Sequence, residues 1–266
     1  MLPAICEVDH MIILPPGEAE RIGQLPLTGV EQEILQSKQQ SQVTYRYGSI
    51  GELEFELKTR SAIVEAARAL HASGAKFATF KNSRCNEALW NREPNGGFRL
   101  RSGVTPAEGI RDIFRNGWAY AFECATAMVI VLYKGVLDSI GEPAFNTYFA
   151  DLLLYDWKYD SDLRIIPAVE AYPGDVLYFI NPDFNPMSPE WRGENAILLP
   201  DGTYFAHGMG IRTGAEIIAL LNTRRKPGST TSAYKTDDIE TLDFAYTQRL
   251  KTVIARIGTR VYAYGW

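Results

Sequence analysis

The chain reads as an α+β domain, with helices first and a mostly antiparallel sheet after them, and three observations predict it. Residues 61–140 carry helical periodicity, capping signals and one almost uncharged run. From Tyr172 the texture changes to short branched and aromatic pieces separated by Pro173-Gly-Asp175 and Pro200-Asp-Gly202. At 266 residues, with 46% hydrophobic and 22% charged side chains, the chain suits one domain, 1–266, with a substantial core.

Taken in order, residues 1–60 alternate short apolar pieces with Pro15-Pro-Gly17, Pro26 and Gly48, which predicts an irregular arm holding one helix near 29–41. Ser61 to Ser73 predicts an amphipathic helix in which Ile63, Ala66, Ala67 and Leu70 share a face and Gly74 stops it. Thr105-Pro-Ala-Glu108 combines a cap, a proline at the first helical position and a glutamate three residues on, starting a helix that runs to about Arg115. Asn116-Gly117 breaks it. The apolar run from Cys124 to Gly141 then predicts a helix buried on most sides, and Pro143 to Tyr155 a further buried one.

Val176–Ile180 reads as a strand, and Asn195–Leu199 with Thr203–His207 as a hairpin about Asp201-Gly202. Gly214 to Arg225 follows as a helix. Pro227 to Ser232 has linker composition, and 233–266 is expected to hold a polar helix near 237–257 and a short aromatic tail.

Composition excludes several functions. A formal net charge of −5 without a basic stripe argues against a nucleic-acid partner. Three cysteines without close spacing (Cys6, Cys85, Cys124) form neither a disulfide framework nor a zinc site. No His-Glu-x-x-His, calcium loop, phosphate loop, dinucleotide fingerprint or G-x-S-x-G elbow occurs, so no metal and no cofactor is expected. The first residues lack a basic stretch before an apolar one, and no run has the length of a membrane span. The expectation is a protein made in the cytosol and acting away from the membrane.

Cys124 heads its apolar helix, where unpaired backbone N–H groups and the helix dipole favour a thiolate and can hold an oxyanion. The same position also suits a buried, inert thiol. Cys85 has a polar setting and no helix directly behind it. Of the three histidines, His10 falls in the arm and His71 near the end of a helix, whereas His207 closes the hairpin that Glu194 opens. A two- or four-residue turn puts Glu194 and His207 on one face; a three- or five-residue turn separates them.

Five motifs occur ungapped and in order: Tyr120-Ala-Phe-Glu-Cys-Ala-Thr-Ala-Met-Val-Ile130, Leu153-Leu-Tyr-Asp-Trp157, Pro173-Gly-Asp-Val-Leu-Tyr-Phe179, Trp191-Arg-Gly-Glu-Asn195 and His207-Gly-Met-Gly-Ile211. Together they closely resemble the small bacterial spore-coat transglutaminases, most densely from 83 to 225. The resemblance implies a calcium-independent protein-glutamine gamma-glutamyltransferase with Cys124 as nucleophile, Glu194 as its main partner and His207 as a supporting third member. It also implies a single domain similar to the papain-like cell-wall peptidases, with extra segments at both ends. Where such a peptidase places its histidine, this chain holds Glu194, which makes Glu123 a second acid–base candidate.

The implied partners are proteins bearing glutamine and lysine, spore-coat proteins foremost, and the implied location is the spore coat. Thioester chemistry of this kind must limit water, so a narrow apolar passage is expected, with Phe77, Trp157 and Trp191 as walls. Gln36, Lys38, Gln39 and Gln40 suggest self cross-linking. The rival readings are a cysteine peptidase or amidase of the cell wall, and a noncatalytic coat protein.

Overall fold

Capping chemistry sets most of the helix starts. In the computed structural model, which describes residues 11–155, 162–257 and 260–265, Glu31 reaches back to the Thr28 backbone N–H (2.7 Å) at the head of α1 (Gly29–Gln40). Ser49 Oγ accepts the Glu52 N–H (3.2 Å) at the head of α2 (Ile50–Ala72). Thr105 caps α3 (Pro106–Arg115) with proline in the first turn, as its motif predicts. Then come α4 (Cys124–Ile140) and α5 (Glu142–Tyr148), separated by Gly141 at φ 85°. After the first strands of the main sheet follow α6 (Gly214–Asn222) and the short α7 (Phe244–Arg249).

Two helix bounds differ from expectation. α2 begins eleven residues before Ser61, because Ser49 is the cap and fully buried Leu53 and Leu57 extend the apolar stripe. The charged residues interspersed from Glu52 to Lys58 mask that stripe in the sequence. The helix expected to reach Tyr155 stops at Tyr148, and Leu153–Leu154 pairs instead as an edge strand with Phe98–Leu100.

The main sheet contains β1 (Ile165–Pro167), β2 (Val176–Ile180), β3 (Gly193–Leu198), β4 (Thr203–Ala206), β5 (Gly210–Thr213) and β6 (Tyr234–Leu242). Their spatial order is β5-β4-β3-β2-β6-β1, antiparallel throughout. The polar helix expected near 237–257 is therefore not formed: Tyr234–Leu242 is a strand, followed by α7 and a ladder of Thr252–Ile257 with Arg260–Gly265. The physical reason lies in β2, which needs a hydrogen-bonding neighbour on the edge away from β3. β6 supplies it, and a register shift between Lys235 and Ile239 destroys the period-two pattern that would have revealed a strand.

α4 runs through the core, with Met128 through Tyr133 almost fully buried. α2 crosses it so closely that a Cβ on Gly135 would lie 2.4 Å from Ile63 Cγ1. One face of the sheet, carrying Val176, Ile197, Leu199 and Phe205, packs on these helices; the other, carrying Phe179, Ala196 and Ala206, packs on Ile217 and Leu221 of α6. Burying a side chain of this size contributes about 1.5–3 kcal/mol, so the helix–sheet contact is the main source of stability.

The N-terminal segment is docked rather than irregular over its described part, since Ile12, Ile34 and Leu35 form a second cluster with Leu53, Leu57 and Tyr172. A buried ionic network then ties α2 to the Pro-Gly-Asp turn. Arg60 donates to Asp175 (2.7 Å), to the Pro173 carbonyl (3.3 Å) and to Glu56 (2.8 Å), and Glu56 also pairs with Lys38 (3.0 Å). This fixes where β2 begins. Among the described residues no helix is long and apolar enough to cross a membrane.

Candidate active site

A parallel two-residue ladder, Lys76–Phe77 with Ala121–Phe122, delivers the chain to the head of α4. Glu123 is the N-cap: its Oε2 accepts the Ala125 N–H at 2.8 Å. Its Oε1 accepts from the Cys124 thiol at 3.4 Å, and Asn195 Nδ2 donates to the same sulfur at 3.6 Å from β3. The sulfur therefore sits between one acceptor and one donor. Cys124 is only 4% exposed.

The hairpin decides where Glu194 and His207 go. Ala196 pairs with Ala206 and Leu198 with Tyr204, so five residues separate the last pair and the two-or-four-residue turn is not the one formed. Pro200–Gly202 makes a helical turn with Asp201 at φ 65°, which adds the odd residue. His207, one residue past Ala206, consequently falls on the side opposite Glu194, while Asn195, directly opposite Tyr178 on β2, takes the side that faces α4. Glu194 and His207 still meet, because the Glu194 carboxylate accepts the His207 backbone N–H. The His207 ring points elsewhere: Nε2 lies 3.1 Å from the Lys76 carbonyl and the ring stacks on Phe122 at 4.7 Å.

Burial dominates the electrostatics. It raises the Cys124 thiol well above its ordinary range, helped by the negative charge of Glu194 and Glu123 and opposed by hydrogen bonds from Asn195. The expected net bias toward thiolate from the helix end is absent, because Glu123 occupies the first-turn N–H and places its own charge beside the sulfur. Burial, then the charge of Glu123, raises Glu194 well above its ordinary carboxylate range. Its Oε1 makes no hydrogen bond among the described residues. Burial lowers His207 to about 4, leaving a neutral imidazole.

A cavity of about 100 Å³ lies on the Glu194 side, lined by Phe77, Trp191, Glu194, His207 and Met209. Of the three residues expected as passage walls, Phe77 and Trp191 line this cavity and Trp157 lies outside the described residues. The Cys85 thiol turns to the Trp90 carbonyl at 4.0 Å, and burial raises it to about 11. Asn195 was quoted in a motif without a role; the signal that marks it is its place one residue after Glu194 on a two-sided strand. Among the described residues no group of three or more His, Cys, Asp and Glu side chains could hold a metal ion.

A helix-head thiol on an antiparallel sheet, with carboxyl groups to handle the proton, is the equipment of an acyltransferase that works through a thioester. Residues 11–251 match the protein-glutamine gamma-glutamyltransferase family, and the chain belongs to it. A relative of that name from Bacillus pumilus (strain SAFR-032) is 45% identical over 243 residues, 90% of this chain and 99% of the relative. One from Bacillus subtilis (strain 168) is 46% identical over 79% of this chain and 86% of the relative. The solved transglutaminase from Geobacillus stearothermophilus, without its C-terminal extension, is 50% identical with a TM-score of 0.74, covering 79% of this chain and all of that one.

Proposed function

We propose that Cys124 carries the gamma-glutamyl transfer between protein glutamine and lysine side chains, with Glu123 as its immediate base and Glu194 as a proton donor. The observation that carries this reading is the 3.4 Å contact between the Cys124 thiol and Glu123 at the head of α4. The S–H proton passes to Glu123 and the sulfur attacks the glutamine carboxamide carbon. The carbon–nitrogen bond breaks, the neutral Glu194 carboxyl supplies a proton to the nitrogen, and ammonia leaves a thioester behind. A neutral lysine amine then attacks the thioester carbon and gives its surplus proton back to the Glu194 carboxylate, the carbon–sulfur bond breaks as the isopeptide bond forms, and the thiolate recovers the proton held by Glu123. The Cys124 backbone N–H is the oxyanion donor in this scheme. His207 acts as support, fixing Glu194 through its own backbone N–H.

Phe77 and Trp191 form walls that limit water, and Trp157 is proposed as a third. The partners are glutamine- and lysine-bearing proteins, spore-coat proteins in particular, in keeping with the Bacillus relatives. Self cross-linking would use exposed Gln36, Gln39 and Gln40 with some other lysine, since Lys38 is only 2% exposed and paired to Glu56. Incorporation of a labelled primary amine into a glutamine-rich protein tests the core reading. Wild type should label it and Cys124→Ala should not; label that survives the substitution would sink the assignment.

A further inference from the structure

We infer that Asn195 is a catalytic residue, whose side-chain amide stabilises the Cys124 thiolate in place of a cationic base. The inference rests on the assignment of Cys124 as nucleophile. Its foundation is the pair of contacts on the sulfur. The thiol donates to Glu123 Oε1 and the sulfur accepts from Asn195 Nδ2. When the proton moves to Glu123, the negative charge left on sulfur faces the Glu123 O–H and, among the described residues, one further side-chain donor, the Asn195 amide.

The usual alternative, an imidazolium, is not available. The His207 ring is held at the Lys76 carbonyl and stacked on Phe122, and among the described residues no Lys, Arg or His side chain forms a hydrogen bond or ion pair with Cys124, Glu123 or Glu194. The amide is held in place by β3. Asn195 lies opposite Tyr178, and Ile197, two residues on, is fully buried in the core against the helices. A hydrogen bond to a charged group is stronger than one to a neutral thiol, so the amide favours the reactive form. Once the sulfur is acylated it carries no charge, and the same bond weakens, so the donor does not hold the thioester back.

The test is the pH dependence of Cys124 alkylation by iodoacetamide, read on the peptide that contains Cys124 so that Cys6 and Cys85 do not interfere. Asn195→Leu keeps the approximate volume and removes the donor. Its alkylation midpoint should move up by about one pH unit, and amine incorporation near neutral pH should fall about tenfold. The loss should diminish as pH rises through the new midpoint, with KM for the glutamine substrate unchanged, because only the thiolate fraction has changed. A loss that is independent of pH, or a midpoint equal to wild type, overturns the inference. Should the leucine variant not fold, Asn195→Asp decides, since it has the same shape but offers an acceptor; its midpoint must rise as well. The parent assignment fails separately: activity in Cys124→Ala removes both readings, whereas an inactive Cys124→Ala with normal titration in the Asn195 variants removes only this one.

Discussion

The interior of this protein holds two clusters of ionisable groups that avoid unpaired charge in opposite ways. Under the Pro-Gly-Asp turn, Lys38 and Arg60 face Glu56 and Asp175, two cations against two anions, and Arg60 adds a bond to Thr241 Oγ1 at 3.1 Å. At the head of α4, two carboxyl groups and a thiol gather, and no cation among the described residues touches them. The first cluster is neutral because its charges are paired. In the second, burial and the neighbouring carboxyl groups disfavour ionisation, so Cys124 and Glu194 both rise. Pairing makes a rigid support; retained protons make a site where moving one of them is chemistry.

Breaking the paired cluster should have the largest effect on the fold. Arg60→Ala leaves Asp175 buried with the Tyr172 N–H but without its cation, and Glu56 with Lys38 alone as counter-ion, so a loss of about 3–5 kcal/mol is expected, a fall of roughly 10 °C in Tm. A variant that melts like wild type would show that the pairing carries no stability.

At the site, the corresponding change is Glu123→Gln, which should lower kcat by about 10²-fold or more, near 3 kcal/mol, while costing little in stability. The sharper readout is its sign on the thiol. Removing the neighbouring carboxylate should lower the Cys124 pKa, so iodoacetamide should label the variant faster at neutral pH although it turns over more slowly. Slower labelling together with slower turnover would contradict the proposed division of roles.

His207 belongs to the unpaired region and gives a pH test of the fold. Its folded pKa of about 4 lies below the ordinary 6.5, so the unfolded chain binds a proton that the folded one refuses. The stability involved is fully present above about pH 6.5 and is lost as pH falls toward 4. Between pH 7 and 5 the loss should be about 2 kcal/mol. In His207→Gln, which keeps a donor but cannot titrate, the decline in Tm over that range should be shallower by that amount. Parallel curves for the two proteins would mean that His207 is not buried as a neutral ring.

Much of this arrangement was legible in the sequence where local rules act alone. The Thr105 cap, the Cys124–Ile140 helix, the Val176–Ile180 strand and the ordered motifs all depend on neighbours within a few residues. What escaped depends on distant partners. The strand Tyr234–Leu242 looks polar and aperiodic because a bulge interrupts it, and only the open edge of β2 makes it a strand. The parity of the hairpin turned on its turn, where Asp201 and Gly202 are both left-handed, and the odd count put His207 on the side of Asn195 rather than of Glu194. Lys38, which its glutamine-rich surroundings mark for self cross-linking, instead lies over the Tyr45 ring at 3.7 Å and is paired to Glu56.

The smallest effect isolates burial as the cause of these differences. Glu54–Lys58 and Glu56–Arg60 lie on the same helix with the same i,i+4 spacing, at 2.6 and 2.8 Å. Their side-chain exposures are 30% and 51% for the first pair, against 9% and 3% for the second. Spacing and charge type are thus held constant while solvent access changes. In water the exposed pair is screened and its side chains lose entropy on pairing, so Lys58→Ala should cost no more than about 0.5 kcal/mol in urea unfolding, and less in high salt. A loss above about 1 kcal/mol would place the stability of α2 in its helical charge pattern. A near-zero loss beside a large one for Arg60 places it in the dry contact with the Pro-Gly-Asp turn, the same dryness that at Cys124 turns a cap and an amide into a reactive site.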